Sequence, residues 1–145
     1  MKLITIVLFM MFGPGLTWSG DFEAARTDAA SSHKYLLVNF SGSDWCGPCI
    51  RLRSTILEAK DFEAYAADHL VLVRADFPRQ KKNQLPKDQV KRNEALADKY
   101  NPDGKFPYTL LLDSNGKVIK TWEGCPDETP AQFVGEIEQQ LHASH

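Results

Sequence analysis

The chain has 145 residues, 43% of them hydrophobic and 25% charged, with a formal net charge of −2. That length supports one domain with a real core, and the charge balance excludes a strongly basic nucleic-acid binder and a disordered polyelectrolyte. Three cysteines are too few for a disulfide scaffold or a four-thiolate zinc site, and their odd number leaves one thiol over if two pair.

The chain opens with Lys2 and an apolar run from Leu3 to Phe12, interrupted only by Thr5. Gly13, Pro14 and Gly15 end it, and Thr17-Trp18-Ser19 offers small residues at the −3 and −1 positions for cleavage before Gly20. This is the anatomy of a signal peptide over residues 1–19, with an exported domain over residues 20–145. The run falls short of the roughly 20 apolar residues that span a membrane. An uncleaved anchor is the alternative. The expected location is periplasmic or otherwise extracytoplasmic, where disulfide chemistry is permitted.

Asp21 is placed to cap a helix through about Ser31, with Phe22, Ala25, Ala29 and Ala30 as its apolar stripe. Tyr35 to Phe40 reads as a buried strand with Asn39 inside it. A loop, Ser41-Gly42-Ser43-Asp44, leads into Trp45-Cys46-Gly47-Pro48-Cys49, where Cys49, Leu52 and Ile56 begin a helical face. Asp61 is expected to cap the next helix, through about Asp68, and Leu70 to Phe77 is the second strand.

From Arg74 to Arg92 there are seven basic residues and two acidic ones, Asp76 and Asp88. The basic insert, about residues 78–92, lies around Pro78 and Pro86. Its ordinary reading is a solvated loop and helix face, and its other reading is a docking patch for an acidic partner. A helix is expected from Lys87 to Tyr100, with Val90, Ala95, Leu96 and Tyr100 apolar. Tyr108 to Asp113 and Val118 to Trp122 flank the Asn115-Gly116 hairpin signal. Thr129 and Pro130 open a final helix that buries Phe133, Ile137 and Leu141. This order predicts an α/β fold: one central mixed β-sheet, with its first two long strands parallel, a terminal antiparallel hairpin, and helices on both faces.

Cys46 and Cys49 stand three residues apart at the start of a helix that follows a strand. Their sulfurs can meet in a disulfide, and the first sits where free backbone N–H groups and the helix dipole favour a thiolate. Gly47 leaves room for a substrate backbone, and Pro48 stiffens the loop. No second Cys-x-x-Cys accompanies them, so metal is the lesser reading: a soft ion such as Cu(I) held by Cys46, Cys49 and Cys125. Cys125 is otherwise an inert, partly buried thiol or an auxiliary one near the site.

These residues resemble the active-site motif of the thioredoxin superfamily. Phe106-Pro107-Tyr108, followed by an apolar strand, resembles that family's cis-proline loop, and Gly124 stands where the family has a small residue beside the site. The Ser-Gly-Ser-Asp-Trp-Cys loop, the N-terminal helix and the basic insert resemble exported bacterial members. The resemblance implies a thioredoxin-like fold and thiol–disulfide exchange, with Cys46 attacking and Cys49 resolving. Trp45, Pro107 and the Phe106 backbone would shape a groove for an extended substrate peptide. The Gly-Pro dipeptide implies a reductase of protein disulfides, and a disulfide-donating oxidase or isomerase is the alternative. No cofactor is implied. The expected partners are protein disulfides and an upstream thiol donor such as a membrane thiol-relay protein, and a monomer is expected. The family's buried carboxylate falls at Asn39 and its lysine partner at Leu72, which leaves Asp44 as the nearest carboxylate in sequence, on an exposed loop.

Overall fold

The structure is a computed structural model and describes residues 16–144. Most of the expected leader, residues 1–15, therefore lies outside the described residues. In chain order the elements are β1 (Trp18–Ser19), α1 (Phe22–Ser32), β2 (Tyr35–Ser41), α2 (Gly47–Leu52), α3 (Lys60–His69), β3 (Leu70–Asp76), α4 (Lys87–Tyr100), β4 (Tyr108–Leu112), β5 (Val118–Glu123) and α5 (Pro130–Ala143). A π-helical turn, Arg53–Leu57, continues α2, and a 3₁₀ turn, Lys81–Asn83, lies in the basic insert.

The five strands form one sheet in the order β1-β3-β2-β4-β5. Both pairings of β3 are parallel, while β2 with β4 and β4 with β5 are antiparallel. Central β2 is buried along its length after Tyr35, which is why its sequence is a continuous apolar run rather than an alternation. One sheet face packs Leu37, Leu72 and Leu111 against Leu52, Ile56, Phe62, Phe133 and Ile137. The other packs Leu36, Val38, Phe40 and Val73 against Phe22, Ala25 and Ala29 of α1 and Leu96 of α4. Each fully buried Leu, Ile or Phe contributes roughly 1.5–3 kcal/mol of transfer free energy. Helices on both faces are thus as expected. Among the described residues, no helix is long and apolar enough to cross a membrane.

Local chemistry sets several boundaries. The Asp21 carboxylate caps α1 by accepting from Ala24 N at 3.0 Å, and Thr129 and Gln132 form a reciprocal capping box at α5. The α3 boundary differs from expectation. Ala59 is its N-cap and Asp61 sits inside the first turn, where its charge favours the positive helix end. Ala30 and Ala95, expected on buried stripes, are exposed. In α4 the buried polar residue is Asn93, whose Nδ2 donates to Asp76 O at 2.9 Å. Trp18 and Ser19, assigned to the leader from sequence, pair with Leu72 and Val73 as an edge strand.

Candidate active site

Strand register brings distant segments to one end of the sheet. Ser41 pairs with Asp76 and Phe40 with Tyr108, so the loops after β2 and β3 and the loop before β4 meet there. Tyr108 pairs with Glu123, which sets Gly124 beside Pro107, and Gly124 N donates to Pro107 O at 2.9 Å. The Phe106–Pro107 peptide bond is cis, and Gly124 has φ +74°, a backbone region that suits glycine.

Cys46 is the N-cap of α2 and Cys49 lies in its first turn. They form a disulfide with a Cα–Cα distance of 5.2 Å. Cys49 N donates to Cys46 Sγ at 3.3 Å, a hydrogen bond that in the reduced chain favours the thiolate over the thiol. Gly42 N donates to Cys49 Sγ at 3.5 Å. Both sulfur-bearing residues are buried, while Gly47 and Pro48 between them are exposed and the space beside Gly47 is open.

Trp45 is held on several sides. Its Nε1 donates to Phe77 O at 2.7 Å, its ring meets Phe106 edge-on at 5.6 Å, and the Arg79 guanidinium lies 3.6 Å from its ring centre. Ser43 N donates to Asp76 Oδ1 at 2.9 Å, and Ser43 Oγ bonds the other carboxylate oxygen, which ties the loop before the cysteines to the end of β3.

Asp44 is engaged by donors of the basic insert. Its carboxylate accepts from Arg79 N and Gln80 N at 2.9 Å each and from Asn83 Nδ2 at 3.0 Å. These donors, the Arg79 amide foremost, hold its carboxyl below the ordinary carboxylate range. It is a clamp on the basic insert rather than the freely solvated charge expected of a loop aspartate.

Asn39 is buried and donates from Nδ2 to Thr109 Oγ1 at 3.1 Å. It shares a strand face with Leu37, on the side where α2 packs, and Leu72 is likewise buried there. That position is therefore occupied by a neutral amide–hydroxyl pair. Cys125 is partly buried against the core cluster, with its thiol turned to Pro126 O at 3.8 Å.

Sequence reasoning named Cys46, Cys49, Trp45, Phe106, Pro107 and Gly124, and the fold gathers them at one sheet end. It missed Phe77, Arg79 and Asp76, which reach the site through strand pairing and leave no local signal. It also missed Ile50, one residue after Cys49 and 39% exposed, an apolar side chain at the helix start.

Two sulfurs that already bond to each other, with a helix start ready to stabilise one of them as an anion, can cycle between dithiol and disulfide. The protein is a thiol-disulfide oxidoreductase of α/β architecture. It belongs to the thioredoxin-like domain family, matched over residues 22–141. It is 36% identical over 126 residues to the disulfide bond reductase DsbH of Chlamydia pneumoniae, covering 87% of this chain and 73% of that protein. The thioredoxin-related protein DsbJ of Chlamydia pneumoniae is 29% identical over 105 residues, covering 72% of this chain but only 29% of that longer protein. A solved structure of a DsbH oxidoreductase superposes with a TM-score of 0.80 at 30% identity, covering 88% of this chain and 85% of that one.

Proposed function

We propose that the chain is exported and reduces disulfides in other proteins, with Cys46 as nucleophile and Cys49 as resolving thiol. Residues 1–19 serve as the leader. The Cys46 thiolate attacks one sulfur of a substrate disulfide, forms a mixed disulfide and expels the other sulfur as a thiolate. Cys49, losing its proton to water, attacks Cys46 Sγ and expels the second substrate sulfur. Two electrons pass to the substrate, and Cys46–Cys49 is left oxidised for an upstream dithiol donor, such as a membrane thiol-relay protein, to reduce again.

The observation that carries this reading is the Cys46 cap, with the Cys49 amide aimed at its sulfur. The likeness to a protein named as a disulfide bond reductase supports the direction. Trp45, Gly47, Pro48, Phe106, Pro107 and Gly124 form the surface that receives an extended substrate. With Asn39 neutral, no carboxylate at that position assists Cys49.

The test is the reduction potential of the Cys46–Cys49 couple, together with trapping. A potential near or below about −230 mV supports a reductase, and one between about −180 and −120 mV assigns disulfide donation or isomerisation instead. Cys46→Ser abolishes exchange, and Cys49→Ser accumulates covalent partners. Full exchange activity in Cys46→Ser overturns the mechanism.

A further inference from the structure

The segment from Arg74 to Arg92 carries +5 while the whole chain is −2, so the remaining residues carry −7. The charge is segregated, and the fold fastens part of the basic segment to the redox centre. Asp44, two residues before Cys46, accepts hydrogen bonds from Arg79 N, Gln80 N and Asn83 Nδ2. Gln80 Nε2 returns a hydrogen bond to Asp44 O at 3.3 Å, and Gln84 Nε2 braces the turn on Pro78 O at 3.0 Å. Arg79, Lys81 and Lys82 are all exposed on this braced lip. The ion pairs among the described residues lie elsewhere and include none of the three. The Arg79 guanidinium itself lies on the indole of Trp45, next to the nucleophile.

A mobile basic loop is an ordinary solvated feature. Here the Asp44 clamp holds the segment that carries these cations beside the redox loop, and among the described residues none of the three is in an ion pair. We propose that Arg79, Lys81 and Lys82 form a specificity lip that selects disulfides flanked by acidic residues. The lip acts on encounter and orientation, so its effect is on the second-order rate and falls with salt. The proposal rests on the exchange chemistry at Cys46 given above.

The test uses the reduced protein and disulfide-linked dimers of one short peptide, in which Glu, Gln or Lys flanks the cysteine. Each rate is divided by that of the same peptide with a small dithiol, which removes intrinsic reactivity. At low salt the Glu peptide reacts about threefold to tenfold faster than the Gln peptide, the Lys peptide reacts slower, and the differences collapse in about 0.5 M salt. Lys81→Gln with Lys82→Gln lowers the Glu-peptide rate about threefold and leaves the Gln-peptide rate unchanged. Equal normalised rates for all three peptides at low salt overturn the lip while leaving the exchange reading intact. Failure to exchange with any peptide overturns both. Salt-sensitive binding to anionic lipid vesicles that is lost in the double variant, with no rate difference among peptides, reassigns the lip to a membrane surface and overturns the peptide proposal.

Discussion

Gly42 lies against the face of Trp45 so closely that a Cβ at position 42 would overlap the indole ring. The glycine is therefore a packing requirement of the redox loop, since the same indole is hydrogen-bonded to Phe77 O and cannot retreat without losing that bond. Gly42→Ala should displace Trp45, cost roughly 1–3 kcal/mol of stability as overpacking does, and slow substrate reduction. Denaturant unfolding and the reduction rate check this. Unchanged stability would show that the loop relaxes freely.

The Asp44 clamp should be visible in hydrogen exchange. In the native chain the Arg79 and Gln80 amides are protected by the Asp44 carboxylate. Asp44→Ala should speed their exchange about tenfold or more at neutral pH. Because the carboxyl is held below its ordinary value, its contribution is present above the unfolded pKa and is lost as pH falls through the folded one. The native clamp should thus hold at neutral pH and loosen only below about pH 4. Native-like exchange in the variant would show that the glutamine braces suffice.

Asn39 sits buried against Thr109 where a carboxylate would have to be desolvated. Asn39→Asp places an acid whose folded pKa is raised by burial. Its protonated form is tolerated, so the variant loses stability as pH rises from the unfolded aspartate value toward the folded one. Destabilisation should be roughly 1–3 kcal/mol at pH 8 and smaller at about pH 5. The pH dependence of exchange should also change. Equal destabilisation at both pH values would mean that the new carboxylate stays hydrated.

Glu128 and Glu136 form an unequal pair, and Glu136 meets Trp122. Trp122 Nε1 donates to Glu136 Oε2 at 2.7 Å, which lowers the Glu136 carboxyl, while burial and the neighbouring Glu136 raise that of Glu128. The Glu128 Oε2 atom is buried without a hydrogen-bond partner. The raised group contributes stability at low pH and loses it as pH climbs through its folded pKa. Glu128→Gln keeps a donor at every pH. Its melting temperature should therefore fall less than that of the native chain between about pH 5 and pH 7. Parallel profiles would sink this assignment.

The short β1 strand bears on where the folded domain begins. Leu16 and Trp18 pack on the core cluster, and the Arg74 guanidinium lies 4.1 Å from the Trp18 ring centre. A chain starting at Gly20 lacks these contacts and leaves the β3 edge unpaired. It should be less stable than one starting at Leu16 by roughly 1–3 kcal/mol. Equal stability would show that β1 is dispensable.

Much of this architecture is local in origin. The α1 cap at Asp21, the α5 start at Thr129-Pro130 and the Asn-Gly turn are set by neighbours within a few residues, so they are readable in the chain. The apolar run of β2 and the spacing of Cys46, Cys49, Leu52 and Ile56 are equally local. The misread features depend on distant partners. Ala95 looks like core and Asn93 like surface until the Asp76 carbonyl is placed beside the latter. Asp44 looks like a solvated charge until strand pairing carries Arg79 and Gln80 to it.

By itself, the sequence determined the α/β class, the element order and the redox pair, because periodicity, caps and the Cys-x-x-Cys spacing act over one or two helical turns. Only the tertiary structure decided what surrounds that pair. The register of β2 with β3 and β4 brings Phe77, Arg79 and Phe106 onto Trp45. Such contacts join residues 30 or more positions apart in the chain, where no short-range pattern can announce them. The environment of the cysteines is thus a property of strand register.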